Sequence, residues 1–93
     1  MTKNNIIKEV SKETGFTNVE VELLLDSFLN TIKTSLSKGE KVEMRGFGSF
    51  IVKKRAEKTG RNISKNITIK IPEHNIPAFK PAKVFTQGVK DNN

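Results

Sequence analysis

The apolar positions of the first forty residues recur with the 3.6-residue period of an α-helix, in two separate stretches. The first stretch predicts a helix from about Lys3 to Thr14. Thr2 precedes it with a hydroxyl that can accept a hydrogen bond from the first turn, and Gly15 ends it. The chain is therefore expected to begin with a short amphipathic helix that has a capping residue at its start and a terminating glycine at its end.

The second helical stretch opens with a reciprocal capping signal, in which Thr17 is followed three residues later by Glu20. It stops at Lys38 and Gly39, where glycine tolerates the left-handed exit conformation. Its apolar stripe is too wide for one short helix and three small strands to cover, so we expect a second copy of the chain to cover it. A cofactor pocket is the weaker alternative. Within the stripe we assign a dimer core to Leu25, Phe28, Leu29, Ile32 and Leu36.

From Lys41 onward the period changes to two, which is typical of β-strands. Val42 and Met44 alternate with charged Glu43 and Arg45 before a glycine turn, and this pattern predicts a hairpin. In its second strand, Phe50 and Val52 alternate with Ile51 and Lys53. Residues 67–71 predict a further strand that ends at Pro72. Residues 76–79 predict a short extended piece, which Pro77 confines to a sheet edge or a strand end.

The C-terminal part predicts one more helix. Pro81 stands where a helix can begin, and residues 82–90 carry apolar side chains at helical spacing before a tail, residues 91–93, that we expect to be disordered. The elements together predict an α+β fold in a single domain over residues 1–93. Its predicted parts are a helical dimerisation part at 1–40, a sheet at 41–83 with an arm at about 54–73, and a C-terminal helix at 82–90.

Composition strengthens the expectation of a dimer. A chain of 93 residues with a projecting arm leaves a small body, and bodies of that size bury too little surface to be comfortably stable alone. The absence of cysteine removes disulfides and thiolate metal sites as remedies.

The net charge of +7 is concentrated in the second part of the chain. Residues 1–40 carry five lysines against six acids, whereas residues 41–93 carry twelve basic side chains against four acids. Such asymmetry favours a polyanionic partner. A membrane is the poorer choice, because no apolar run approaches the roughly 18 residues that span a bilayer and the N-terminus lacks the apolar segment of a signal peptide. We expect the protein to stay in the cytoplasm.

The inventory for catalysis is thin, and we predict no enzyme, no cofactor, no metal and no small-molecule substrate. The single histidine, His74, lies between two prolines and is expected in a solvated loop, with no second histidine to form a metal pair. Glu40 and Glu43 are best interpreted as solvated carboxylates. Gly46 and Gly48 match only the first half of a dinucleotide-binding fingerprint, since Ile51 occupies the third glycine position.

Residues 45–70 are different, because charge and periodicity agree there. Two positively charged strands and a polar tip form a ribbon suited to a groove of nucleic acid. Lysines on an exposed strand also discourage aggregation, which is the alternative interpretation. Ile63 argues against this alternative, because it is an apolar residue in the most polar segment of the chain. Minor-groove proteins insert apolar side chains of this kind between base steps. The candidate DNA-binding residues of the ribbon are Lys53, Arg55, Lys58, Arg61, Ile63, Ser64, Lys65 and Lys70.

The chain closely resembles the bacterial histone-like HU and integration host factor family, over essentially its whole length. The spacing of several motifs together is highly specific. These motifs are Lys3 in the first helix, Gly15-Phe16, Gly39, Arg45-Gly46-Phe47-Gly48-Ser49-Phe50, Lys58-Thr59-Gly60-Arg61-Asn62, Ile69-Lys70-Ile71-Pro72 and Pro77-Ala78-Phe79-Lys80-Pro81-Ala82-Lys83.

This resemblance implies an intertwined dimer with a helical base, a small antiparallel sheet saddle and two β-ribbon arms that embrace DNA through the minor groove. It assigns arm contacts to Arg55, Lys58, Arg61, Asn62, Ile63 and Lys70. It assigns phosphate contacts from the body to Lys3, Gly46, Lys80 and Lys83, and dimer core to Phe47, Phe50 and Phe79.

The chain departs from the family at one tip position, where Ile63 replaces the usual proline. Isoleucine keeps the hydrophobicity of a wedge and loses the rigidity of a fixed φ. The expected function is that of a nucleoid-associated protein that binds duplex DNA as a homodimer with low sequence specificity and bends or compacts it. A sequence-specific bending regulator of the integration host factor type and a dimerisation module that meets RNA or an acidic protein are the alternatives.

Overall fold

The computed structural model describes residues 1–62 and 67–93. Helices occupy the first part of the chain and strands the second, with a helix at the end, so the predicted α+β class is confirmed. In chain order the elements are α1 (Lys3–Thr14), α2 (Asn18–Ser37), β1 (Val42–Met44), β2 (Gly48–Arg55), β3 (Lys58–Asn62), β4 (Ile67–Ile71), β5 (His74–Pro81) and α3 (Lys83–Asp91).

Both N-terminal helices begin at the predicted caps. The backbone N–H of Asn5 donates to the Thr2 hydroxyl at 3.3 Å, and the Asn5 side chain accepts from the Thr2 N–H at 2.9 Å. The backbone N–H of Glu20 donates to Thr17 Oγ1 at 3.2 Å, and Thr17 N–H donates back to Glu20 Oε1 at 3.2 Å. Each box satisfies N–H groups that the first turn leaves without an internal partner.

The chain divides into two compact units, Met1–Thr34 and Ser35–Asn93. In the first unit Ile7 and Val21 are buried, whereas Leu24 is 60% exposed, Phe28 44% and Leu29 41%. The α2 stripe is thus only partly covered in the single chain. This exposure supports the prediction that a second copy covers it.

The second unit contains a three-stranded antiparallel sheet in the order β1-β2-β5, called here the body sheet. The predicted hairpin is confirmed, with Val42 opposite Phe50 and Met44 opposite Gly48. Pro77 lies on β5, at the edge of this sheet, as predicted. An edge strand has one side without a ladder, so it tolerates a residue that has no N–H to donate.

β5 is longer than predicted and begins at His74. The expected solvated loop around His74 is therefore wrong: His74 pairs with Arg55 in the ladder, although its side chain is exposed as expected. The two flanking prolines suggested a loop. The eight residues of β2 provide a full-length partner, and this pairing extends the strand past both of the predicted bounds.

The predicted single ribbon is divided into two ladders. Lys53, Lys54 and Arg55 pair with β5 of the body sheet, and the return strand Ile67–Ile71 pairs instead with β3. β3 and β4 form a separate two-stranded sheet, called here the arm. The prediction of paired basic strands holds, and residues 53–55 belong to the part of the ribbon that pairs within the body sheet.

The C-terminal helix begins one residue later than predicted, and the expected disorder of residues 91–93 is wrong. Asp91 is the last residue of α3. The side-chain amides of Asn92 and Asn93 donate to the backbone oxygens of Gly88 and Val89 at 2.8 and 2.9 Å. These bonds satisfy carbonyl groups that the last helical turn leaves open, and they order the tail.

Four phenylalanines form a cluster between the body sheet and α3. The ring centroids of Phe47 and Phe79 lie 5.0 Å apart, those of Phe50 and Phe79 5.0 Å, and those of Phe47 and Phe85 5.2 Å. These distances are typical of favourable aromatic pairs. Phe79 is still 39% exposed and Phe47 45%, which leaves room for a partner to complete the cluster.

Candidate nucleic-acid interface

The β1–β2 turn is fixed against the start of α3. Phe47 N–H donates to the Met44 oxygen at 3.0 Å and closes the turn, and Gly46 adopts a left-handed φ of 83° within it. The N–H of Ala82, the N-cap of α3, donates to the Phe47 oxygen at 2.9 Å. The turn and the helix start therefore form one structural feature, although about 35 residues separate them in the sequence.

A groove of about 760 Å³ lies along this feature, called here the basic groove. Four cationic side chains line it together with the backbone of Gly46 and Gly48 and the carboxylate of Glu43. Of the four cations, Lys41 has an ion pair, with Lys41 Nζ 2.8 Å from Glu43 Oε1. The cations that line the groove are Lys41, Arg45, Lys80 and Lys83.

Most of the positive charge in the basic groove is available to a ligand. Within the part of the chain that the structure describes, Arg45, Lys80 and Lys83 have no acidic partner within ion-pair distance. The Lys41 ammonium donates a hydrogen bond to Glu43 and so lowers the pKa of that carboxyl. Glu43 is consequently an anion at neutral pH, and it offsets Lys41 rather than the other three cations.

The start of α3 adds to the groove's preference for anions. No side chain caps this helix, and its first turn contains no acidic residue. The first N–H groups of an uncapped helix carry partial positive charge and bind phosphates well. Lys83 is the first residue of the helix, so its charge lies at the same end.

The structure brings three of the four predicted body contacts together. Gly46, Lys80 and Lys83 all line the basic groove. Lys3 belongs to the first unit, where its ammonium lies 2.6 Å from Asp26 Oδ1 with both side chains half exposed. The hydrogen bond to Asp26 raises the pKa of Lys3, so it is a cation at neutral pH.

Sequence reasoning missed Lys41 and Arg45 as candidates. A signal was present: Lys41 directly before β1, Glu43 within it and Arg45 directly after it are spaced two residues apart, and side chains at that spacing share one face of a strand. The same pattern was used to predict the strand. It also indicates that charges of both signs occur on one side.

Four predicted arm-side cations are exposed as expected. Lys53 and Arg55 lie on β2, Lys58 begins β3 and Lys70 lies on β4. Lys70 Nζ is 2.9 Å from Glu57 Oε1, with 75% of the lysine side chain exposed. The predicted tip contacts Ile63, Ser64 and Lys65 lie outside the described residues, as do the side chains of Arg61 and Asn62.

The predicted dimer-core residues are distributed over both units. On α2, Ile32 is buried, Leu25 and Leu36 are half-buried, and Phe28 and Leu29 are exposed. Phe47, Phe50 and Phe79 belong to the aromatic cluster, to which the structure adds Phe85. Phe85 was placed on the last helix by its spacing, but nothing in the sequence indicated that it stacks on Phe47.

Residues 1–62 and 67–93 contain no group of three histidine, cysteine or acidic side chains arranged to bind a metal ion. Of the helices in these ranges, none is long and apolar enough to cross a membrane.

The sequence and the structure are both similar to known proteins. The profile of a family described as bacterial DNA-binding protein matches residues 1–90. The DNA-binding protein HU of Thermotoga maritima is 46% identical over 90 residues, which covers 97% of this chain and all of the relative. The HU protein of Staphylococcus aureus is 39% identical with the same coverage.

Among solved structures, HU of Anabaena in a cocrystal with DNA superposes with a TM-score of 0.91 at 34% identity, covering 96% of this chain and 97% of the other. The V42I mutant of Thermotoga maritima HU gives a TM-score of 0.74 at 36% identity, covering 96% and 99% of the two chains. Residues 1–90, which the family profile matches, include the basic groove and both described strands of the arm. The chain belongs to the bacterial DNA-binding protein family, together with the HU proteins.

Proposed function

We propose that this protein is a homodimeric architectural DNA-binding protein, which binds duplex DNA with low sequence specificity and bends or compacts it. The observation that carries the proposal is the basic groove joined through the body sheet to a cationic arm. The similarity to Anabaena HU, which was crystallised with DNA, supports it. A member of this family would act on the nucleoid in the cytoplasm, as a structural protein rather than an enzyme.

The basic groove is the proposed phosphate site of the body. Lys80, Lys83 and Arg45 converge on it without acidic partners in the described part of the chain, and the uncapped start of α3 supplies N–H groups. Contacts of this kind fix the position of a duplex and carry no sequence information. The groove therefore accounts for affinity rather than for specificity.

The arm is the proposed minor-groove element. Its described cations, with Arg61 and Lys65 at the tip, would lie against phosphates, and Ile63 would act as a wedge between base steps. Unstacking a step costs a few kcal/mol and is repaid by the additional surface that a bent duplex contacts. Other β-ribbon proteins place strands in the major or the minor groove of DNA.

Low specificity follows from the kind of cation used. Lysine provides 14 of the 17 cationic side chains. A lysine ammonium attracts phosphate as a point charge, whereas base edges are read best by the planar fork of arginine. Only three arginines are available for such contacts, Arg45, Arg55 and Arg61.

The dimer supplies the second arm. Partly exposed Phe28 and Leu29 on α2, together with the open side of the aromatic cluster, offer apolar surface for the second copy. An isologous dimer repeats each surface, so it presents two arms and two basic grooves to one duplex.

A competition gel-shift experiment tests the proposal. Labelled duplex of random sequence is bound and then challenged with unlabelled random duplex, single-stranded DNA, RNA and a duplex selected for tight binding. We expect random duplex to compete best among the unselected nucleic acids, and the selected duplex to gain less than about 10³-fold. A larger gain would identify a sequence-specific regulator, and preferential competition by RNA would overturn the proposal.

A matched pair of variants locates the binding site. Lys80→Gln with Lys83→Gln removes two cations from the basic groove, and Lys8→Gln with Lys12→Gln removes two exposed cations from α1. Net charge falls equally in both. We expect affinity for duplex to fall at least tenfold more in the groove variant, because specific phosphate contacts are lost there.

A further inference from the structure

The two faces of the body sheet carry different kinds of side chain. Directly opposite residues of an antiparallel pair share a face, and successive residues of a strand alternate between the faces. Phe50 pairs with Phe79, so one face carries the aromatic cluster. The other face, called here the cationic face, carries the polar side chains of Ser49, Lys53, Arg55, His74 and Lys80.

The cationic face connects the basic groove with the end of the sheet. Ser49 and Lys80 are a cross-strand pair that lines the groove. Arg55 and His74 are the last pair of this ladder, and both side chains are exposed. The β-carbons of such a pair lie about 5 Å apart, so the imidazole of His74 can reach a phosphate that the guanidinium of Arg55 binds.

A hydrogen bond determines which ring nitrogen of His74 can titrate. Nδ1 lies 2.9 Å from the backbone oxygen of Pro72, which can only accept. Nδ1 therefore carries a hydrogen in both charge states, and Nε2 is the atom that gains or loses the proton. Among the described residues, Nε2 has no hydrogen-bond partner. It is an acceptor when the ring is neutral and a donor when the ring is charged.

The charges around His74 provide no anion for this nitrogen. The neighbours on the cationic face, Arg55 and Lys53, are cations. Glu73 precedes His74 in the chain, but its carboxylate lies 2.7 Å from Lys54 Nζ. In the described part of the chain, no carboxylate lies within ion-pair distance of His74. An anion that binds Nε2 must therefore come from a ligand.

We infer that protonated His74 is a phosphate contact of the cationic face, so that DNA binding is linked to the uptake of a proton at Nε2. This inference rests on the proposed function and adds a contact to its phosphate site. A neutral Nε2 and a phosphate oxygen are both acceptors, so they form no bond. Once solvent has supplied the proton, Nε2–H donates a charge-assisted hydrogen bond to the phosphate beside Arg55.

The salt dependence of DNA binding at two pH values tests this inference. Random-sequence duplex is titrated with the dimer at about pH 5.5 and about pH 8, near the two ends of the range in which histidine titrates. Each cationic phosphate contact adds about 0.9 to the slope of log affinity against log salt, so two protomers should make the slope steeper by about 1.8 at the lower pH. Affinity should rise about two- to fivefold per protomer.

Two substitutions give the fixed charge states of the same position. His74→Gln is neutral at both pH values, and its slope should stay at the wild-type value for about pH 8. Any change that remains in this variant comes from other groups that titrate in the range, such as the terminal amino group. His74→Arg is charged at both pH values, and it should keep the steeper slope throughout.

A displaced histidine separates a phosphate contact from a general effect of charge. His74→Gln with Asn75→His moves the imidazole by one residue, to the face that carries the aromatic cluster. This variant should not regain the pH dependence of the slope. If it does, charge alone is sufficient and the inference is overturned.

The wild type and His74→Gln together decide the outcome. A structural role of His74 alone would alter stability and leave the change of slope with pH equal in the two proteins. Equal changes in two proteins that both bind duplex would overturn the inference and leave the proposed function intact. Failure of the wild type to bind duplex at either pH would overturn both.

Discussion

Gly48 lies directly against the ring of Phe79. A β-carbon placed on Gly48 would be 2.7 Å from the nearest ring carbon of Phe79 and 2.5 Å from the backbone oxygen of Lys80. Gly48 is also buried and begins β2, where it pairs with Pro81. The close approach of β2 and β5 therefore requires glycine, and it joins the aromatic cluster to the strand that carries Lys80.

Gly48→Ala should destabilise the protein by about 1–3 kcal/mol, because the added methyl group overpacks against rigid backbone and a φ of 157° disfavours a side chain. Gly88→Ala provides the contrast. A β-carbon there meets nothing within 4 Å in α3, so this change should stabilise by about 0.5–1 kcal/mol. Urea unfolding at fixed dimer concentration measures both, and equal effects would contradict the packing argument.

The α2 stripe should control dimerisation. Phe28→Glu places a charge in the predicted dimer core and should weaken the dimer by about 3 kcal/mol or more, because the carboxylate is buried without a partner. Val19→Glu makes the same charge change at a residue that is 80% exposed on the same helix, and it should leave the dimer intact. Sedimentation velocity over a dilution series distinguishes them. Dissociation by both variants would place the interface elsewhere.

Acid should weaken the cap of α2. Hydrogen bonds from Thr17, chiefly from its hydroxyl, lower the pKa of Glu20 below its ordinary value of 4.5. Because the pKa of Glu20 is lower in the folded state, the cap contributes its full stability to the protein at a pH above the ordinary pKa of 4.5. This contribution is lost as the pH falls through the lower, folded-state pKa. Glu20→Gln keeps a hydrogen-bond acceptor and loses the titration. Wild type and variant should therefore converge in stability as pH falls below about 4.5, and parallel pH profiles would contradict the assignment.

The tip residue should affect bending more than binding. Ile63→Ala removes most of the proposed wedge and leaves every cation in place, so end-to-end energy transfer on a labelled duplex should report less bending. Affinity should fall by less than about tenfold, since phosphate contacts provide most of it. Unchanged bending would show that Ile63 is not a wedge. Ile63→Pro restores the residue usual in the family and serves as the control.

The helices could be predicted from the sequence because their signals are local. Thr2, Thr17 and Glu20 act on N–H groups within one turn, and the apolar stripe of α2 has an unambiguous period. The tail was predicted poorly. The side-chain amides of Asn92 and Asn93 can donate hydrogen bonds either to the last turn of α3 or to water, and the composition does not indicate which of the two is formed.

The strand pairing depended on long-range choices that periodicity does not encode. Residues 48–55 and 67–71 are both strands, yet β2 pairs with β5 and β4 pairs with β3. Pro72 marks where the pairing changes, but a proline signals only the loss of a donor, and the continuous register across it becomes visible in the structure alone. Lys80, Lys83 and Gly46 were predicted as contacts by resemblance, whereas the convergence of Arg45 and Lys41 on the same groove required the fold.

The central claim is that the dimer binds duplex DNA chiefly through phosphate contacts. Its most direct test is a fluorescence titration of a duplex of random sequence at several salt concentrations. If each dimer neutralises about 6 to 10 phosphates, log affinity should fall with log salt at a slope of about −5 to −9. A slope near zero would contradict the account.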